Sequence, residues 1–176
     1  MTATRKAAVK LKGNPVDLNG PALKVGDKAP VVEVIDNALA PVKVGGAGDA
    51  VRILAAVPSL DTPVCDLETR RFNTEVGKLT GVRVETISVD LPFAQKRWCG
   101  AAGVTAVRTL SDHRATAFGD AYGVTIASGP LTRCLARAVF VVDRGGTVKY
   151  VEYVPDITEQ PNYETALAAA KAAAGA

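Results

Sequence analysis

The chain has 176 residues, a formal net charge of +3 and hydrophobic side chains at 48 % of its positions, which suits one domain, residues 1–176, able to bury a substantial core without disulfide staples. Its basic residues form no block beside aromatics, which argues against a nucleic-acid partner. No segment approaches the ~20 apolar residues of a membrane span, and Met1 to Lys12 lacks the apolar run of a secretory signal, so a cytoplasmic protein without a membrane partner is expected.

Val9-Lys10-Leu11-Lys12 alternates apolar with charged, Gly13-Asn14-Pro15 turns the chain, and Val16-Asp17-Leu18 alternates again. This pattern predicts a β-hairpin. Val31 to Ile35 is a predicted strand, and the glycines from Gly45 to Asp49 break the chain after it. Beyond residue 50, apolar β-branched runs alternate with longer helical stretches. Val51 to Val57 reads as a strand covered on both faces. Cys65 to Leu79 reads as an amphipathic helix with Leu67, Phe72, Val76 and Leu79 on its apolar face and Glu68, Arg70, Arg71, Glu75 and Lys78 on the others.

Val82 to Val89 is the next predicted strand. Pro92 fits the first turn of a helix that runs to about Ala101 and stops at Gly103. Val107 to Leu110 predicts a short strand and Ala115 to Tyr122 a short helix. Arg137 to Asp143 and Thr147 to Tyr153 then flank Gly145-Gly146 as a hairpin. Tyr163 to Ala174 is a closing helix with Asn162 as its N-cap, and its alanines allow close packing. Parallel crossovers in the first half and an antiparallel hairpin near the end predict a three-layer α/β sandwich with a mixed sheet.

Three cysteines (Cys65, Cys99 and Cys134) and one histidine, His113, make up the soft ligands. No CxxC pair is present, so neither a zinc knuckle nor a local dithiol is encoded, and no metal or other cofactor is expected. His113 follows Asp112 in a polar stretch and reads as a surface or cap residue rather than a base. Cys65 stands where a strand hands over to a helix, an end whose free N–H groups and positive dipole favour a thiolate. The same position also suits an inert cysteine in a helix cap.

Thr62, three residues ahead, can bring its hydroxyl beside the sulfur or simply cap the helix. Pro58 and Pro63 stiffen the loop between them. An oxidised Cys65 needs a second thiol, because a sulfenic acid without one over-oxidises. Cys99 is the candidate, in Arg97-Trp98-Cys99-Gly100, where Lys96 and Arg97 favour its thiolate; a buried spacer is the alternative. Asp66, directly after Cys65, suits the helix dipole but opposes a neighbouring thiolate.

Pro58, Thr62 and Cys65 stand as PxxxTxxC, which resembles the peroxidatic-cysteine motif of the peroxiredoxins. Ser59 to Asn73 (SLDTPVCDLETRRFN), Asp90 to Gly103 (DLPFAQKRWCGAAG), the N-terminal hairpin, the 34-residue step from Cys65 to Cys99 and the segment Gly129 to Ala138 are similar to the thiol peroxidase subfamily of atypical 2-Cys peroxiredoxins. The likeness runs through nearly the whole chain. It implies an α/β, thioredoxin-like three-layer sandwich with a mixed central sheet and an N-terminal β-hairpin.

The resemblance also implies roles. Cys65 is then peroxidatic and passes through a sulfenic acid, Cys99 is resolving and closes an intramolecular disulfide with it, and Pro58, Thr62 and Arg137 bind the peroxide, with Thr62 and Arg137 favouring the thiolate. The implied activity is reduction of hydrogen peroxide and organic (alkyl) hydroperoxides in antioxidant defence, with thioredoxin or a similar dithiol as reductant and a homodimer as the assembly. Arg137 opens an otherwise apolar strand, which a fixed cation near the sulfur explains, as does a strand-edge arginine with its stem on the sheet. Cys134 has no part in a two-cysteine cycle, and its neighbours Leu131, Leu135 and Ala136 mark it as structural. The residues alone also admit a redox sensor that reacts once per switch, or a binding domain with inert thiols.

Overall fold

The computed structural model describes residues 3–175; the first two residues and the last of the expected domain 1–176 lie outside the described residues. Strands β1 (Thr4–Leu11) and β2 (Asn14–Asn19) form the predicted antiparallel hairpin. The turn itself is Lys12-Gly13 rather than Gly13-Asn14-Pro15. Both turn residues have positive φ, 50° and 81°, the two-residue geometry whose twist matches that of the flanking strands.

β3 (Val32–Ile35) pairs antiparallel with β4 (Pro41–Val44), a four-residue strand that the sequence reading did not anticipate. Next come β5 (Val51–Ala56), α1 (Pro63–Val76), β6 (Val82–Ser88), α2 (Pro92–Ala102) and β7 (Val107–Ser111). The strands β5, β6 and β7 run parallel in register, as strands joined by helical crossovers must. α2 opens on Pro92 and ends on Gly103 in the left-handed region (φ 65°), both as predicted. The chain closes with α3 (Ala117–Ala121), β8 (Thr125–Ile126), β9 (Ala138–Val142), β10 (Val148–Tyr153) and α4 (Tyr163–Ala174). β9 and β10 are the expected hairpin, and the side chain of Asn162 caps α4 by accepting from the Thr165 N–H.

The principal sheet has seven strands in the order β10-β9-β5-β6-β7-β3-β4, and a second sheet joins β1, β2 and β8. Every residue of β5 and β9 is buried. Alternate residues of these strands enter two cores. Ile53, Ala55, Val139 and Val141 pack with Phe72 of α1 and with Tyr163, Ala166 and Ala170 of α4. Leu54, Ala56 and Phe140 pack on the other face with Phe118 and Tyr122. The three-layer mixed-sheet expectation is thus met.

One helix face differs from its prediction. Leu67 is 56 % exposed, whereas Cys65, Glu68, Thr69, Phe72 and Val76 are the buried residues of α1. The helix is turned so that a glutamate, not a leucine, faces inward.

The topology also sets up a meeting point. Ala56, the last residue of β5, pairs with Ala138, the first of β9. Antiparallel pairing therefore puts Arg137 beside the point where β5 leaves the sheet and the chain turns into α1.

Candidate active site

The loop from Val57 to Thr62 leads into α1, and Thr62 is its N-cap, with φ −88° and ψ 143°. Its Oγ1 accepts from the Cys65 N–H at 3.4 Å, satisfying one of the free donors of the first turn. The same hydroxyl lies 2.7 Å from Cys65 Sγ and 3.1 Å from the Ser59 carbonyl. It carries one proton, so it donates to one of these at a time. Pro63 occupies the first turn, where its missing N–H costs nothing. Pro58 is buried in the loop.

Cys65 is fully buried and packs with Val57 and Leu60, against which Trp98 leans. Arg137 reaches it from the other side: Nη2 donates to Sγ at 3.3 Å, Nε donates to the Ile157 carbonyl at 3.0 Å, and Nη1 donates to Glu68. All three guanidinium nitrogens are engaged, and the side chain is 1 % exposed. An arginine held at three points is a fixed cation, not a strand-edge residue with its head in water.

Glu68 was not among the expected site residues. It is fully buried one turn beyond Cys65, ion-paired with Arg137. Burial pushes its carboxyl up to about 7, against the pull of the Arg137 charge and hydrogen bond. On Arg137, burial disfavours the cation, but Glu68 and then Cys65 outweigh it and raise its pKa. The signal lay in spacing: Cys65, Glu68 and Phe72 share a helix face, although a glutamate in a helix ordinarily reads as solvent-facing. Asp90 was missed as well. Its carboxylate accepts from Ser59 Oγ, the Leu60 N–H and Ser88 Oγ, each at 2.8 Å, and so ties the Cys65 loop to the end of β6.

The two cysteines of the implied pair face different partners. Cys99 is half-buried on α2 with Sγ 3.3 Å from Thr109 Oγ1, in an open depression whose lining includes Asn37 and Val104. Cys65, Cys99 and Cys134 are all free thiols. Asp66 is engaged on its own account, accepting from Trp98 Nε1 at 3.0 Å and from Arg70 Nε at 2.9 Å. Cys134 packs at the edge of the core formed by Val9, Leu18 and Ile126, and burial pushes its thiol up. His113 Nδ1 bonds Ser111 Oγ at 2.8 Å and has no bond to any cysteine. Among the described residues no cluster of three His, Cys, Asp or Glu side chains could hold a metal ion.

A buried sulfur at a helix N-terminus, with a hydroxyl and a guanidinium aimed at it, is equipped to attack an electrophile and to stabilise the negative charge that leaves. The chain as a whole is similar to known proteins. Residues 24–167 match the Redoxin family model. The chain is 54 % identical to the thiol peroxidase of Halalkalibacterium halodurans, covering 95 % of this chain and 99 % of that one. With the thiol peroxidase of Bacillus subtilis it shares 52 % identity over 94 % and 98 % of the two chains. A peroxiredoxin-like protein from Aquifex aeolicus, solved as a crystal structure, superposes with a TM-score of 0.91 at 48 % identity over 98 % of each chain. These likenesses bear out the thioredoxin-like sandwich.

Proposed function

Because the chain belongs to the redoxin family, and within it to the thiol peroxidases of the peroxiredoxin type, we propose that Cys65 is its peroxidatic cysteine, Cys99 its resolving cysteine, and Thr62 and Arg137 the groups that bind and polarise the peroxide. The observation that carries this reading is the convergence of Thr62 Oγ1 and Arg137 Nη2 on a single buried sulfur. Pro58, buried in the loop before Thr62, belongs to the proposed peroxide-binding set through the resemblance of the PxxxTxxC motif.

The Cys65 thiolate attacks the terminal oxygen of hydrogen peroxide or an alkyl hydroperoxide. The S–O bond forms as the O–O bond breaks, the hydroxyl stays on sulfur as a sulfenic acid, and the departing hydroxide or alkoxide takes a proton from solvent. Arg137 and Thr62 stabilise the charge on the departing oxygen, ordinarily the largest catalytic contribution of such donors. The Cys99 thiol then displaces water from the sulfenic acid to give the Cys65–Cys99 disulfide. Thioredoxin or a similar dithiol reopens it by exchange. The activity serves antioxidant defence.

Peroxide consumption, measured with and without thioredoxin on single Cys→Ser variants, tests these assignments. Cys65→Ser should abolish turnover. Cys99→Ser should react once and then stall or over-oxidise, and Cys134→Ser should behave as the wild type. A Cys65→Ser variant that turns over at the wild-type rate ends the assignment, and a Cys134→Ser variant as inactive as Cys65→Ser would show the pair to be wrong. The reading extends to one domain, a homodimer and a cytoplasmic location. Among the described residues no helix is long and apolar enough to cross a membrane, and sedimentation equilibrium checks the dimer.

A further inference from the structure

Helix α1 carries a stripe of polar residues at i, i+4 and i+7: Asp66, Arg70 and Asn73. These positions share one helix face, and all three bind α2 or the loop behind it. Asp66 accepts from the indole N–H of Trp98 at 3.0 Å. Arg70 donates to Asp66 at 2.9 Å and to the Ala102 carbonyl at 2.8 Å, with its guanidinium 5.7 Å from the Trp98 ring centroid. Asn73 Oδ1 accepts from the N–H groups of Thr105, Ala106 and Val107 at 3.1, 2.7 and 3.3 Å.

Besides this stripe, α2 is held by Trp98 and Ala102, which pack partly buried against the core that includes Phe72 and Val104. Only Pro92 and Gln95 of α2 are buried, its N-cap residue Leu91 makes no side-chain capping bond, and no acidic residue stands in its first turn. Gln95 ties the first half to Ser88 Oγ and the Leu110 carbonyl. The second half, with Trp98 and Cys99, is tied by Asp66 and Arg70 and by the Cys99–Thr109 contact.

Trp98 and Cys99 point in different directions, about 100° apart around the helix. The indole leans on the Val57, Leu60 and Cys65 cluster, while the Cys99 sulfur faces Thr109. Trp98 thus occupies the side of α2 that faces the Cys65 cluster, and the Cys99 sulfur does not.

We propose that Asp66, Arg70 and Trp98 form a latch between the two cysteine-bearing helices, which keeps Cys65 seated for the peroxide step and must open before Cys99 can close the disulfide. The idea rests on the peroxidatic and resolving roles given above. Its consequence is a partition: a closed latch leaves the Cys65 sulfenic acid waiting, exposed to a second peroxide that takes it to sulfinic acid, while an open latch sends it to the disulfide with loss of water. Asp66, Arg70 and Trp98 are positioning residues that never touch peroxide.

Trp98 is the sole tryptophan of the chain, so its fluorescence reports the latch directly. The test compares wild type, Asp66→Ala and Trp98→Phe, the last keeping an aromatic ring but no N–H. Peroxide consumption comes first, then the rate of disulfide closure and the sulfinic fraction of Cys65 by mass spectrometry over a peroxide series. Both variants should close the disulfide about tenfold faster, the scale of one lost hydrogen bond, with a matching fall in sulfinic acid. Reduced Asp66→Ala should show Trp98 emission shifted toward that of the oxidised wild type. Closure rates and sulfinic fractions equal to wild type in both variants would reduce the contacts to ordinary packing, and slower closure would reverse the sign; either overturns the latch. A wild type that consumes no peroxide would instead overturn the roles beneath it.

Discussion

Among the residues around Cys65, Glu68 is the one whose charge is hardest to keep. It is fully buried, one of its carboxylate oxygens has no partner, and Arg137 must serve both it and the sulfur. An ordinary glutamate ionises near 4.5, and this one is pushed up to about 7 by burial. Between those values the folded protein holds a proton that the unfolded chain has released. Stability from this residue is therefore complete below pH 4.5 and declines as the pH rises toward 7, by at most about 3 kcal/mol. Glu68→Gln should flatten that decline, which urea midpoints at pH 4.5 and 7.5 measure. An equal fall in variant and wild type would place the titration elsewhere. Cys65, Thr62 and Cys99 stood out in the sequence because a helix entry and a second thiol can be read locally. Glu68 did not, because its burial depends on Arg137, which stands just before the distant strand β9.

Elements were legible where their pattern was self-sufficient. Pro92 and Gly103 bracket α2, and Asn162 starts α4, because caps and breakers act within a turn of their own position. The inward face of α1 was misjudged: counting apolar residues favours Leu67, but the sheet accepts Cys65, Glu68 and Phe72 instead. β4 and β8 escaped because four and two residues carry too little alternation, and their pairing comes from the neighbours they meet. For α4 the alanine content was informative. Ala166 and Ala170 are fully buried against Val139, Val141 and Ile53, so the helix approaches the sheet with no side chain to spare. Ala170→Leu forces extra volume into that contact and should destabilise the protein by about 1–3 kcal/mol. Denaturant unfolding measures it, and an unchanged midpoint would mean that α4 can lift from the sheet without cost.

At the scale of the whole molecule, the alternation of β-branched runs with helical stretches revealed the parallel centre, because each crossover is local in the chain. What it left open was how distant pieces join: β3 and β4 extend the sheet beyond β7, and the separate sheet pairs Leu18 with Ile126. Under the proposed Cys65–Cys99 pairing, this architecture divides the protein into a part that stays and a part that moves. β5 and β9 are buried at every residue and hydrogen-bond to each other across their length, and they hold Arg137 in place. The first turn of α1, despite the buried Cys65, and α2, with only Pro92 and Gln95 buried, depend on side-chain bonds for their seating. The sulfurs of Cys65 and Cys99 now face Arg137 and Thr109 respectively, and a disulfide needs their Cα atoms within about 7 Å. Oxidation should therefore raise amide exchange in residues 63–68 and 95–103 while leaving β5 and β9 as protected as in the reduced protein, since local openings differ in free energy from global unfolding. Exchange measured on both redox states decides the matter. Uniform acceleration that included β5 and β9 would mean that the disulfide loosens the whole sheet, and identical exchange in both states would mean that the helices already meet without rearrangement.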